Sequence, residues 1–585
     1  MPRLLWHHRA MSSSRRLSRF FPFLNWPRPS LPELRADAWA GISVGLIMIP
    51  QAIAYATLAG MPPETGLYAA LVPAVIGILF GSSPLLSVGP VALTSMLVFG
   101  SLTPMSTPNT PHWTTLAIWL AIYSGLVQFA LGAFSLGRIA NLVSQPVLTG
   151  FINAAAVLII ASQLPALIGL DMEGSWSLIL QRALQSESVR VSSLMGIGCV
   201  LALVLFKRYL PRWPGILIVT ILAIVASMLT GYHAAGGAVV GRIPSGLPLP
   251  SWPTAISFER HQELWPAALV LALISFTEAM TSCRVIARKR KELWDEDQEL
   301  IGQGLAKISS GLFGAFPVSG SFSRSALNLY AGAVSGWSTL FSVLCVAGGL
   351  MYLIEWVAQL PRAALAAMII VPVFGLIDIA GMRRLIALSR DDAAVALVTF
   401  GATLFSAPRL HWGVFAGVGL SMGSYLYHHT RPRIITVSLH EDGTLRDDQR
   451  FKLPPLAPDL LAVRVDAALN FLSSSSLERF VGGLLRQHPH TRRFLLCAGA
   501  INSIDATGVD CLQNLHSQLA GAGIELYVSN IKKQVWDVLD TAGVLASLHP
   551  DHIFHTDRQA VETLAPTLTH QNNNGDNNER RGPPV

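Results

Sequence analysis

The chain has 585 residues, 51% of them hydrophobic and 13% charged, with a formal net charge of +7 at pH 7. A soluble globular protein carries roughly 25% charged residues, so this chain is solvated largely by lipid, and a purely water-soluble enzyme or nucleic-acid binder is excluded. The basic excess is explained by the arginine- and lysine-rich loops of a membrane protein rather than by a nucleic-acid surface. The five cysteines (Cys199, Cys283, Cys345, Cys497 and Cys511) are scattered, with neither a CxxC pair nor the spacing of a disulfide framework.

Residues 1–36 hold Arg3, Arg9, Arg15, Arg16, Arg19, Arg28 and Arg35. No apolar run followed by a small-residue cleavage site is present, so this stretch reads as a basic cytoplasmic arm and not a cleaved signal. Residues 37–430 form the transmembrane domain. Its fourteen apolar segments have cores at 38–58, 66–81, 89–100, 113–133, 141–168, 191–209, 213–231, 264–283, 300–313, 320–333, 336–358, 363–380, 391–407 and 409–427. A span needs about 20 residues of helix. The third, ninth and tenth segments are shorter and are expected to stop partway, as interrupted helices of transporters do beside their substrate.

In the first segment, Pro50 is expected to break the hydrogen-bond ladder, and Gln51 follows it with an amide that needs partners at membrane depth. Lysine and arginine set the orientation. Lys207, Arg208 and Arg212 follow the sixth segment, Arg284 to Lys291 the eighth, and Arg383, Arg384 and Arg390 the twelfth. All three loops fall on the side of the N-terminus, which is therefore cytoplasmic, and loops 101–112 and 169–190 face the other way. The third and tenth segments open alike, with "SVGPVALTS" (87–95) and "PVSGSFSRS" (317–325). They stand seven segments apart, an odd number, so the two halves are expected to be inverted copies whose half-helix N-termini meet near the midplane.

After Thr430 the character changes. "LLAVRVDAAL" (460–469), "TRRFLLCAG" (491–499) and "GIELYVSN" (523–530) read as buried strands. "SSSLERFVGGLLRQ" (474–487) and "ATGVDCLQNLHSQLAGA" (506–522) read as helices. This alternation predicts a water-facing α/β domain over 431–565. Residues 566–585 are polar and Asn-rich and read as a disordered tail.

Two ionisable residues stand out at membrane depth, Arg324 and Glu278. Helix N-termini carry about half a positive charge and free N–H groups, so two facing ones make an anion cradle without a metal. Each contributes only about 0.3–2 kcal/mol, too little alone to dehydrate a divalent oxyanion. Ser321 and Ser323 add hydroxyl donors, and Arg324 adds a charge that stays on. Glu278 is placed to exchange a proton as the site opens to either side. The competing readings are structural: Arg324 snorkelling to an interface or held in a fixed pair with Glu278, serines bonded to their own backbone, Gln51 as glue between helices and Tyr55 as packing.

The stretch "GLIMIPQAIAYATLAGMPPETGLYAALVPAVIGILFGSSPLLSVGPVALTSMLV" (45–98) resembles the opening of the SulP sulfate permease and anion-exchanger family. "SGSFSRSALN" (319–328) resembles that family's "TGSFSRSAVN" motif, and the C-terminal region resembles a STAS domain. The resemblance implies a polytopic α-helical membrane protein in a seven-plus-seven inverted repeat, split into core and gate, with a cytoplasmic STAS domain. It implies a homodimer in a cell membrane, and for a bacterial chain the inner membrane. It also implies substrate contacts from Gln51, Tyr55, Val91, Ala92, Ser321, Phe322, Ser323 and Arg324. The coupling ion would sit at Glu278 and Ser282; an acidic residue there with a hydroxyl four residues on keeps sodium open beside a proton.

In "NSIDATGVD" (502–510), Ala506 stands where the soluble signalling relatives of STAS domains carry their phosphoacceptor, so a scaffold role is expected. No Walker A, HExxH or metal-ligand cluster occurs in the spans, which argues against ATP drive and against an intramembrane metalloenzyme. His488 and His490 read as solvated. No cofactor is expected. The reading is a secondary active anion transporter, sulfate first, with bicarbonate or a dicarboxylate as the rival substrate. The rival from another class is a membrane-anchored STAS scaffold.

Overall fold

A computed structural model of the chain describes residues 21–566, apart from 27–28, 139–142, 171–186, 211–212 and 245. Most of the basic arm, Arg212, most of loop 169–190 and nearly all of the polar tail therefore lie outside the described residues. The chain divides into two units, Met1–Ser421 and Met422–Val585.

Each of the fourteen apolar segments is helical. The first span is Leu31–Leu58, started by a capping box in which the Ser30 hydroxyl accepts from the Glu33 amide and the Glu33 carboxylate from the Ser30 amide. The second span is broken into Pro63–Ala69 and Val72–Phe80. The third is Ala92–Leu102, the fourth Pro111–Ala133, the fifth Gln145–Leu167, the sixth Glu187–Tyr209 and the seventh Gly215–Thr230. The eighth is Phe258–Arg290, the ninth Glu296–Leu312 and the tenth Phe322–Tyr330. The eleventh runs Trp337–Gly348 and continues through a wider turn, Gly349–Leu353, to Val357. The twelfth is Arg362–Phe374, with Ile379–Leu388 after it; Arg390–Phe405 and His411–Thr430 complete the set. Eight helices among the described residues are long and apolar enough to cross a membrane.

One expectation holds here and one is corrected. Pro50 lies inside the continuous 28-residue first helix; it removes one ladder bond without ending the helix. The ninth segment is not a half-helix. It has 17 residues, because its first turn, Glu296-Asp297-Gln298-Glu299, is helical but too polar to register as an apolar run. Asp295 caps it, its carboxylate accepting from the amides of Asp297 and Gln298. The third and tenth are short as expected. At 11 and 9 residues they rise only about 16 and 14 Å against a hydrocarbon core of about 30 Å.

The spans pack in two groups. Spans one to four pack against eight to eleven, and five to seven against twelve and thirteen. Glycines permit the closest approaches, as small residues do between membrane helices. A Cβ on Gly125 would lie 2.7 Å from the carbonyl oxygen of Gly304, joining spans four and nine. A Cβ on Gly41 would lie 2.2 Å from that of Ser338, joining one and eleven. Two buried carboxylates finish loops in matching fashion. Asp37 of span one accepts from the amides of Val334 and Ser335 at 2.7 and 3.1 Å. Glu299 of span nine accepts from the amides of Ser82 and Ser83, both at 2.9 Å.

Neither half-helix starts from a plain loop. Strand β1 (Val88–Gly89) runs into the third span and β2 (Ser319–Gly320) into the tenth, and the two pair antiparallel, Val88 opposite Gly320 and Gly89 opposite Ser319. The Ser321 amide extends the ladder to the carbonyl of Ser87 at 2.9 Å. Antiparallel entry makes the two helices leave the crossing in opposite directions, as an inverted repeat requires.

The second unit holds β3 (Ile434–Leu439), β4 (Leu445–Asp447), β5 (Leu460–Val465), β6 (Arg493–Cys497), β7 (Glu525–Ser529) and β8 (Ile553–Phe554) in the order β4-β3-β5-β6-β7-β8. β5 to β8 are parallel, and β3 is antiparallel to both neighbours. The period-two alternation of strands fills two cores. Val463, Phe494, Leu496 and Val528 meet helices Ser474–Gln487 and Ala506–Gly521, while Ala462, Leu495, Cys497 and Tyr527 meet helix Asp557–Leu564. Burial pushes the Cys497 thiol up to about 12, so this cysteine packs as an inert apolar group. At the start of β6, Arg493 pairs both Asp459 oxygens, at 2.9 and 2.7 Å, and holds that carboxyl below its usual range.

Candidate functional site

The strand crossing brings together most of the predicted residues. Val91 is the N-cap of the third span with extended dihedrals, and no side chain caps that end. Its first amides, from Ala92 onward, have no partner within the helix. At the tenth span the cap is Ser321, whose hydroxyl accepts from the Arg324 amide at 3.4 Å and lies 3.4 Å from the Ser323 hydroxyl. Ser321 is buried, whereas Phe322 and Ser323 are exposed.

Arg324 is 2% exposed and turns back across the crossing. Its Nη1 donates to the Pro90 carbonyl at 2.9 Å and its Nε to the Ser87 hydroxyl at 3.3 Å, while Nη2 is buried with no partner. The first turn of one half-helix thus holds the residues leading into the other. Gly89 leaves room for this, because a Cβ there would lie 3.2 Å from Nη2. The guanidinium therefore braces the crossing from behind and does not lie open to the cavity.

Gln51 and Tyr55, one turn apart on the first span, are both buried, and Gln51 Oε1 has no partner. The charges of Arg324 and Glu278 act on Tyr55, so these three groups share one neighbourhood. Glu278 Oε2 is buried and also unpartnered. The fixed Arg324–Glu278 pair is absent: the guanidinium's bonds go to Ser87 and Pro90. The Ser282 hydroxyl donates to the Glu278 backbone carbonyl at 3.4 Å, so its proton is spent on its own helix.

A cavity of about 350 Å³ reaches Ser323 from one side. The rest of its wall comes from the other helix group: Leu203, Phe206 and Lys207 of the sixth span, Trp213, Gly215 and Ile216 at the start of the seventh, and Val371 and Pro372 of the twelfth. The wall is apolar but for Ser323 and Lys207. Lys207 reads in sequence as a loop residue fixing orientation, and its place on this wall was not foreseen. Arg324 is also not the only ionisable side chain buried in the helices. Lys307, Glu299 and Asp37 are buried as well, at 0%, 1% and 0% exposure. Lys307 could have been found, since "GLAKISSG" puts a lysine among small residues in an apolar stretch; the other two lie at polar helix ends.

In the second unit, Asp505 caps helix Ala506–Gly521, accepting from the Gly508 amide at 2.8 Å. Ala506 occupies the first turn and offers no hydroxyl, and the neighbouring Thr507 is exposed.

Interrupted helices crossing through paired strands, with a buried cation behind them and a cavity before them, define a polytopic transporter of the inverted-repeat class. The sequence pattern described as the sulfate permease family matches residues 34–399, and that of the STAS domain matches 455–560. The chain belongs to the sulfate permease family. It is 32% identical over 541 residues to a probable sulfate transporter of Mycobacterium tuberculosis, covering 91% of this chain and 95% of that one. It is 30% identical to probable sulfate transporter 4.2 of Arabidopsis thaliana, covering 93% and 84%. Among solved structures, murine Solute Carrier 26 family member A9, an anion transporter in the inward-facing state, superposes with a TM-score of 0.83 at 21% identity, covering 96% and 99%. The transmembrane domain of the cyanobacterial bicarbonate transporter BicA gives 0.57 at 20%, covering 67% and 99%.

Proposed function

We propose that this secondary anion transporter carries sulfate, bound at the strand crossing and moved together with a proton taken up by Glu278. The observation that carries the reading is the buried Arg324, whose Nη2 has no partner, set between two half-helix N-termini. A buried guanidinium with an unpartnered N–H, beside free amides, is costly unless an anion visits. Sulfate is favoured because the M. tuberculosis and Arabidopsis relatives cited above are named as sulfate transporters.

The local charge supports coupling. Arg324 and Lys307 both act on Glu278. One carboxylate against two cations leaves a single net positive charge; protonating the carboxylate leaves two. A divalent anion and a proton therefore favour each other's binding. Release follows when the group bearing the half-helices moves against the group bearing Lys207, Val371 and Pro372, opening the site to one side at a time. The basic loops put both termini in the cytoplasm. We read the chain as a homodimer in the inner membrane, with the STAS unit as a scaffold.

Uptake into proteoliposomes tests this. Labelled sulfate should accumulate when the outside is acidified, and unlabelled sulfate should compete better than bicarbonate, chloride or fumarate. Better competition by bicarbonate or fumarate moves the assignment to those anions. No uptake of any oxyanion, under a proton or a sodium gradient, would leave the membrane unit an anchor for the STAS domain.

A further inference from the structure

Lys307 has no part in the site as the sequence presents it, yet it is the cation most fully removed from water. It lies about two-thirds along the ninth span at 0% exposure. Lysine is almost never fully buried unless paired, and no carboxylate bonds this one. Its Nζ instead donates to Gln128 Oε1 at 2.8 Å and to Ser275 Oγ at 2.6 Å. Both acceptors are turned to it by a third group. Gln128 Nε2 donates to the Ala272 carbonyl at 2.7 Å, which fixes the amide so that its oxygen faces the lysine. The Ser275 hydroxyl donates to the same carbonyl at 3.2 Å and accepts from Gln128 Nε2 at 3.2 Å, which leaves one lone pair for Nζ. Spans four, eight and nine thus build a site of neutral oxygens for one ammonium.

That site is wired to the strand crossing. The Ser275 carbonyl accepts from the Ser319 hydroxyl at 2.9 Å. Ser319 lies in β2, opposite Gly89 and two residues before the Ser321 cap. Glu278, the group assigned above to carry the proton, is a carboxylate whose charge acts on Lys307. Lys307 therefore stands behind the crossing on the β2 side, while Arg324 reaches across it toward Pro90.

We propose that Lys307 is a specificity-determining residue: a fixed second cation that makes the site select a divalent over a monovalent oxyanion. The inference rests on the anion site assigned under Proposed function. A fixed charge acts on a divalent ion with twice the energy it exerts on a monovalent ion at the same place. Removing it therefore changes the ratio of the two affinities, whereas loosening the packing weakens both alike. If a monovalent competitor loses n-fold, sulfate loses about n²-fold.

The test is inhibition of labelled sulfate uptake by unlabelled sulfate and by nitrate, in wild type, Lys307→Arg and Lys307→Met. Wild type and Lys307→Arg should favour sulfate, and Lys307→Met should shift the preference at least about tenfold toward nitrate. A ratio unchanged in a Lys307→Met protein that still transports would overturn the proposal. Should Lys307→Met fail to insert, Glu278→Gln is compared with Glu278→Gln/Lys307→Met, which buries neither charge of that pair. In exchange assays the double variant should favour nitrate relative to the single one, and equal ratios would overturn the proposal. Absence of uptake by wild type would instead remove the anion-transport reading beneath it.

Discussion

The two half-helices that meet at the crossing are finished differently. The third span begins at Val91 with no side-chain cap, and its first amides are the donors we propose for the anion. The tenth begins at Ser321, whose hydroxyl serves the Arg324 amide, and its arginine reaches back to hold Ser87 and Pro90. One N-terminus supplies free donors, and the other supplies a rigid frame and a charge. The site is thus asymmetric although the fold that builds it repeats. An inverted repeat fixes where helices end, while each copy's side chains decide what those ends do.

This contrast can be broken at several strengths. The largest effect is expected at Glu278 of the eighth span: Glu278→Gln should abolish accumulation of sulfate against its gradient while sparing sulfate–sulfate exchange. Continued accumulation by the variant would remove Glu278 from coupling. Next, Val91→Asp gives the third span a carboxylate cap that competes with the anion for the same amides. It should weaken sulfate at least about hundredfold, equivalent to about 2.8 kcal/mol. Val91→Ser, a neutral cap, should stabilise the helix by about 1 kcal/mol and weaken sulfate only about fivefold. If neither variant affects affinity, the free amides do not face the substrate.

The smallest effects separate the two serines. Ser323 meets the cavity, so Ser323→Ala should raise half-saturation about two- to tenfold, as loss of one hydrogen bond does, with thermal stability unchanged. Ser321 is buried and its oxygen accepts the cap bond from Arg324, so Ser321→Ala should cost about 1 kcal/mol of stability, a loss that Ser323→Ala does not share. The reverse pattern would show that Ser321 points into the site.

The extent of the helices was legible wherever apolar character and helix coincide, which is why all fourteen segments stand. The ninth span escaped because its first turn exposes acidic residues while remaining helical, and length counted in apolar residues then falls short. Pro50 removes a single ladder bond, as expected, and a long helix buried by its neighbours tolerates the loss. Of the site, sequence pattern singled out Arg324, Glu278, Ser321 and Val91 as charges and small residues beside half-helices. It could not say that Arg324 turns back to Pro90, nor that Ser321 and Ser282 spend their hydroxyls on backbone, because these are orientations. β1 and β2 are two residues each and too short for any alternation to register. Lys207 and Lys307 enter the account through folding alone, one from an apparent loop and one from an apolar run. In the second unit β3, β4 and β8 were missed. β3 and β4 fall in the mixed stretch after Thr430, and β8 has only two residues.

The most direct measurement is equilibrium binding of labelled sulfate to purified Arg324→Ala and Arg324→Lys beside wild type, with helix content checked by circular dichroism. The account predicts that Arg324→Ala keeps its helices and binds sulfate at least tenfold more weakly, about 1.4 kcal/mol, with Arg324→Lys between the two. Wild-type affinity in a folded Arg324→Ala protein would contradict it.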